Sequence, residues 1–137
     1  MVAGAVGLVA SGVVHFSALF GIENPLGRAA WSLHVGIFVV WFPAVVAAIR
    51  LSKGFRRKDF WRALMRGCPP WLPYVAVAFF AYALVNFALF SPSSAHGKPS
   101  QSQVLRLFSG HWMAFYFAAT AILYSSTRSE AYDRSRG

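Results

Sequence analysis

The chain has 137 residues, of which 57% are hydrophobic, 17% aromatic and 12% charged, with a formal net charge of +9. A soluble domain is about 45–50% apolar and about 25% charged, so this composition excludes an ordinary water-soluble fold and predicts an all-α integral membrane protein. Four stretches near the ~20 residues of a spanning helix take up most of the chain, and a single domain is expected.

The first span, roughly 2–21, begins at Met1 with no Lys or Arg ahead of Arg28. Lacking the basic start of a secretory signal, it is expected to be retained as a mature helix. Ala3, Gly7, Ser11 and His15 recur every fourth residue, which predicts a small-residue seam that admits close helix approach. Asn24-Pro25 fits an N-cap with Pro at the first helical position, ahead of a second span at roughly 30–50 in which Pro43 removes one backbone hydrogen bond.

Residues 54–67, GFRRKDFWRALMRG, read as a short amphipathic helix. At 100° per residue Phe60, Trp61, Leu64 and Met65 gather on one arc and Lys58, Asp59, Arg62 and Arg66 on the other. This pattern suits a cytoplasmic interfacial helix in an anionic headgroup layer, with Arg56, Arg57, Lys58, Trp61, Arg62 and Arg66 as the lipid-binding set. Pro69-Pro70 opens the third span, roughly 70–90; a polar loop occupies 91–103; Ser100 and Gln103 fit a capping box before the fourth span, roughly 107–125. Residues 126–137 form a polar tail expected to fray.

Ten of the thirteen basic residues fall between the second and third spans or in the tail: Arg50, Lys53, Arg56, Arg57, Lys58, Arg62, Arg66, Arg128, Arg134 and Arg136. The positive-inside rule then places both termini in the cytoplasm of a four-helix up-down bundle, in an inner membrane of bacterial type. The charge is thereby accounted for as a topology signal, and no nucleic-acid module accompanies it. Cys68 is alone, so neither an intrachain disulfide nor a CxxC pair is available. Nucleotide-binding and hydrolase signatures are absent, and the chain is not expected to be an enzyme.

The chemistry that remains is histidine inside the membrane. With a rise of 1.5 Å per residue, His15 lies about 9 Å inside its span end, and His34 and His111 about 6 Å inside theirs. Asn86, one turn from Tyr82, falls at about the same depth. Buried polar groups in hydrocarbon must find partners, so one reading is an interhelical hydrogen-bond network. The other is a haem, pigment or metal site in which His15, His34 and His111 are ligands, Asn86 and Tyr82 contribute to the pocket, and Arg28 and Arg106 meet acidic groups of the cofactor. The sequence leaves the cofactor unknown. Two functional classes follow: a non-catalytic accessory or structural subunit of a larger membrane complex, packing through small-residue and aromatic helix faces, or a haem-, pigment- or metal-binding electron-transfer subunit. The first is the expected one.

Overall fold

A computed structural model describes residues 1–90 and 100–134, with side chains up to residue 129. All its described secondary structure is helical: α1 (Val2–Leu19), α2 (Ser32–Ser52), α3 (Phe60–Met65), α4 (Leu72–Phe90) and α5 (Gln101–Arg134). Three helices, Val2–Leu19, Gly27–Ser52 and Leu72–Phe90, are long and apolar enough to cross a membrane. The connection 91–99 with Lys98, and residues 135–137 with Arg136, lie outside the described residues.

Local chemistry sets the boundaries. Gly21 takes a positive φ of 67° in the turn that ends α1, and Gly54 one of 85° after α2, conformations that a side chain disfavours. The Asn24 side chain accepts from Leu26 N–H at 3.1 Å and donates to the Gly27 carbonyl at 3.0 Å. It therefore caps a single turn rather than α2, and a 3-10 segment, Gly27–Trp31, leads into the α-helix at Ser32. The capping box forms: Ser100 N–H donates to Gln103 Oε1 at 2.8 Å, and Gln103 N–H to Ser100 Oγ at 3.3 Å. Because that box fixes the start, α5 begins six residues before the expected span. It also runs on through Arg134, where fraying was expected; the sequence from 101 to 134 offers it neither a Pro nor a late Gly to stop on.

The least uniformly apolar of the long helices is the central one. Trp112, Met113 and Ala114 are consecutive and all buried, which a helix covered on one side only does not permit. α5 packs against α1, α2 and α4, whereas α4 leans on α5 far more than on α1 or α2. Close approaches fix the directions. Gly4 meets Thr120, Gly7 meets Tyr116 and His15 meets Ser109, so α1 and α5 are antiparallel. Phe79 packs against Phe117, and Asn86 bonds to Arg106, so α4 and α5 are antiparallel too. His34 bonds to Trp112 and Trp41 meets Phe115, which makes α2 run with α5.

The α1 seam is real but shifted, and it is used within the chain. Gly4, Gly7, Ser11, Val14 and His15 are buried, while Ala3 is exposed. A four-residue repeat overshoots a 3.6-residue turn by about 40° per step, so Ala3 swings off the face and Gly4 replaces it. Tyr116 of α5 lies in the notch: a Cβ at Gly7 would land on its ring and one at Gly36 on its hydroxyl, which donates to the Leu33 carbonyl at 2.7 Å.

The expected arc of the basic segment divides. After one 3-10 turn at Arg57–Asp59, α3 buries Ala63, Leu64 and Met65 and leaves Phe60 and Trp61 exposed. Arg66 Nε–H donates to Ser129 Oγ at 3.3 Å, tying this segment to α5. On either side of α4 an apolar cleft remains. One, of about 330 Å³, lies among Met1, Leu8, Trp71, Phe117 and Tyr124. The other carries two of the histidines.

Candidate functional site

His15 is 1% exposed and both its ring nitrogens are engaged: Nδ1 with Ser109 Oγ at 2.9 Å, Nε2 with the Tyr82 hydroxyl at 2.5 Å. The Ser109 hydroxyl donates to the Arg106 carbonyl at 3.3 Å, so it accepts from His15 Nδ1–H, and His15 Nε2 accepts from Tyr82. Asn86 Nδ2 donates to the same carbonyl at 3.1 Å. Gly110 makes room for this knot, since a Cβ there would stand 3.0 Å from Asn86 Nδ2 and 3.7 Å from His15 Cε1. Asn86 Oδ1 and Arg106 Nε are buried without a partner among the described residues.

His34 and His111 stand elsewhere. Both line a groove of about 170 Å³ with Ile37 of α2, Phe87 of α4, and Leu107, Phe108, Trp112 and Phe115 of α5. Trp112 Nε1–H donates to His34 Nδ1 at 3.0 Å, and His111 Nδ1 bonds to the Leu107 carbonyl one turn back at 3.0 Å. No hydrogen bond engages Nε2 of either ring among the described residues. Aromatic edges hold the imidazoles upright: Phe87 against His111 at 5.3 Å and 87°, Phe108 against His34 at 5.9 Å and 90°.

The sequence-predicted residues therefore part into two groups. His15, Tyr82 and Asn86 come together in one network around Arg106 and Ser109, while His34 and His111 share the aromatic groove. His15, His34 and His111 do not converge, and no group of three His, Cys, Asp or Glu side chains among the described residues is placed to hold a metal ion. Neither arginine reaches the groove. The Arg106 guanidinium lies over the Phe90 ring at 3.7 Å, and Arg28 lines a polar cleft with Glu23, Asn24, Gln101 and Ser102. Sequence reasoning missed Ser109 and Trp112, the two α5 residues that hold His15 and His34. It also missed the wall formed by Phe108, His111, Trp112 and Phe115, although their spacing of three, four and seven places them on one face.

Cys68, outside the apolar helices, is half-buried and donates from Sγ to the Ala121 carbonyl at 3.4 Å. Burial pushes its thiol up, and the Ser125 side chain pulls it back only in part. The reactive thiolate is thus scarce at neutral pH and grows only as pH rises past the ordinary thiol range.

Compared with protein-family models, with curated proteins and with solved structures, the chain matches none.

Proposed function

We propose that the chain is an integral membrane protein of four transmembrane helices, up and down, with Leu107–Ser125 of α5 as the fourth, and that it holds a lipid-soluble conjugated ring compound in the groove between α2, α4 and α5. The observation that carries this reading is the pairing, in one aromatic groove, of two imidazoles that each keep a ring nitrogen uncommitted. His15, in contrast, has both ring nitrogens engaged. Intramembrane His is by default a functional flag, and aromatic walls with a few polar groups are the usual lining of a ligand site.

The protein, gently solubilised from its native membrane, is expected to carry one equivalent of a conjugated compound, read by absorption and by mass spectrometry of an organic extract. Protein that carries none and takes none up would sink this function. The accessory-subunit reading draws on a different observation: only 17% of the apolar window of α4 is buried, so this helix has open flanks for a partner. An oligomer of unlike subunits in the same solubilised material is its signature.

Antiparallel packing of α5 on α1 and α4 supports the up-down arrangement, and an even number of spans brings the basic residues of 50–66 and 128–136 to one side, the cytoplasmic one in a bacterial-type inner membrane. There the 54–67 segment lies against anionic headgroups. A cysteine replacing Ser94 should react with an impermeant thiol reagent from outside, and one replacing Ser135 should react only after permeabilisation. The reverse pattern would invert the topology. Cys68 is the wrong reporter, because its raised thiol keeps it slow on either side of the membrane.

A further inference from the structure

The cleft between α1, α4 and α5 is apolar along its length and basic at one end. Ala5, Leu8, Leu72, Phe117 and Ala121 line it with hydrocarbon. The one aliphatic hydroxyl in its wall, that of Thr120, is spent on the Tyr116 carbonyl at 2.7 Å. Such a wall suits an alkyl chain and would leave a polar ligand without partners.

The cleft follows the helices inward from the ends of their spans. α1 and α5 are antiparallel, so Met1 stands level with the Tyr124 turn, where Thr127 Oγ1 lies 3.8 Å from Met1 Sδ, and Leu8 stands level with Phe117. From Met1 to Leu8, and from Tyr124 back to Phe117, the helix rises about 10 Å, against about 15 Å for half of a bilayer core. Trp71 and Tyr124 occupy the cytoplasmic end, as rings do at headgroup height. One turn further along α5 comes Arg128, on the same ridge as Phe117, Ala121 and Tyr124. Its Cβ packs where Gly67 has no side chain, since a Cβ there would stand 3.2 Å away. Helical side chains lean toward the N-terminus, so the Arg128 guanidinium reaches back over the Tyr124 ring, 5.8 Å from its centroid. Arg128 is exposed, and no anion engages it among the described residues. Arg66, bonded to Ser129, brings a second guanidinium to the same end of α5.

We propose that this cleft binds one anionic phospholipid of the cytoplasmic leaflet, with an acyl chain along the wall from Tyr124 to Leu8 and the phosphate against the Arg128 guanidinium. Alkyl wall, aromatic ring and cation follow one another in the order of a phospholipid from chain to headgroup. A zwitterionic lipid would bring a second cation to where Arg128 stands. A partner's transmembrane helix would need an apolar wall that continues through both leaflets and would bring no anion to the arginine. The proposal rests on the membrane-spanning reading and is independent of the histidine groove.

The test uses the full chain in phosphatidylcholine nanodiscs doped with a phosphatidylglycerol whose acyl chain carries a diazirine, with the labelled positions mapped by mass spectrometry after irradiation. Labelling of Leu8, Leu72 and Phe117 is expected to saturate at low dose. Phe38 and Phe42, exposed on α2 away from the cleft, should label in proportion to dose, as residues facing bulk lipid do. Unlabelled phosphatidylglycerol should displace the cleft label about fivefold better than phosphatidylcholine with the same chains, the worth of about one basic residue. Arg128→Gln, a change at an exposed position, should abolish that preference. Ala5→Phe, which fills the cleft from an exposed position, should remove the cleft label and spare Phe38 and Phe42. Equal competition by the two lipids, labelling of the cleft that never saturates, or a preference that survives Arg128→Gln overturns the proposal. So does a cleft that stays unlabelled while Phe38 and Phe42 label normally, the sign of a protein partner or a second copy seated there. Absence of label at Phe38 and Phe42 as well would overturn the membrane-spanning reading itself.

Discussion

Trp112→Ala is expected to cost the protein about 3–5 kcal/mol of unfolding free energy, the range for removing a large aromatic from a packed interior. Trp112 is fully buried and is the largest such side chain among the described residues. Its ring stands edge-on to Trp31 at 5.7 Å and beside Phe108 at 6.5 Å, so truncation opens a void where the start of α2 meets α5. It also removes the donor that sets the His34 tautomer. Equilibrium unfolding in mixed micelles with rising denaturing detergent measures the loss. Trp112→Phe separates the two effects: it should recover most of the stability, but not the single His34 tautomer seen by ¹⁵N spectroscopy. A loss below about 1 kcal/mol for the alanine variant would mean that α2 and α5 do not meet as described.

The second large effect comes from adding atoms. Gly7→Val places a branched side chain where the Tyr116 ring lies, and overfilling of this kind costs about 1–3 kcal/mol or more. Relief requires α1 to withdraw from α5, and the Tyr116 ring is held from the other side by its hydrogen bond to Leu33. Gly12→Ala is the matched control. Its Cβ would meet only Met113 Sδ, at 3.9 Å, an ordinary contact. Alanine's helix propensity should then stabilise α1 by up to about 1 kcal/mol. The two glycines, five residues apart on one helix, are expected to respond with opposite signs in the same unfolding assay.

Three of the four expected spans were legible as helices long and apolar enough to cross a membrane, because a run of about 20 apolar residues is a signal that survives in one dimension. The capping box at Ser100 and Gln103 was legible for a similar reason: its partners are three residues apart. What stayed hidden is which helix lies in the middle. Each long helix carries polar residues, and nothing in a linear pattern says that Ser109 bonds to α1 while Trp112 and Tyr116 both bond to α2. The site divided for the same reason. His15, His34 and His111 look alike in sequence, and only the placement of Tyr82 and Ser109 around the first, and of Trp112 beside the second, tells a ring with both nitrogens engaged from one with a nitrogen to spare. The aromatic face of α5 was readable and went unread, since Phe108, His111, Trp112 and Phe115 follow ordinary helical spacing.

The central place of α5 bears on how the chain is made. Ribosomes deliver α1, α2 and α4 to the membrane before α5, and those three have little to hold one another without it. Until α5 emerges, His15 and Asn86 lack their α5 partners, and α5 itself brings His111, Ser109 and Tyr116, polar groups that a lone helix in an apolar setting would carry at a cost. Packing of the three apolar helices is therefore expected to wait for α5, the helix they share. A chain ending at residue 100 should leave α1, α2 and α4 loosely associated and open to proteolysis, and α5 supplied as a separate segment should convert them together, in one step, to the protected form.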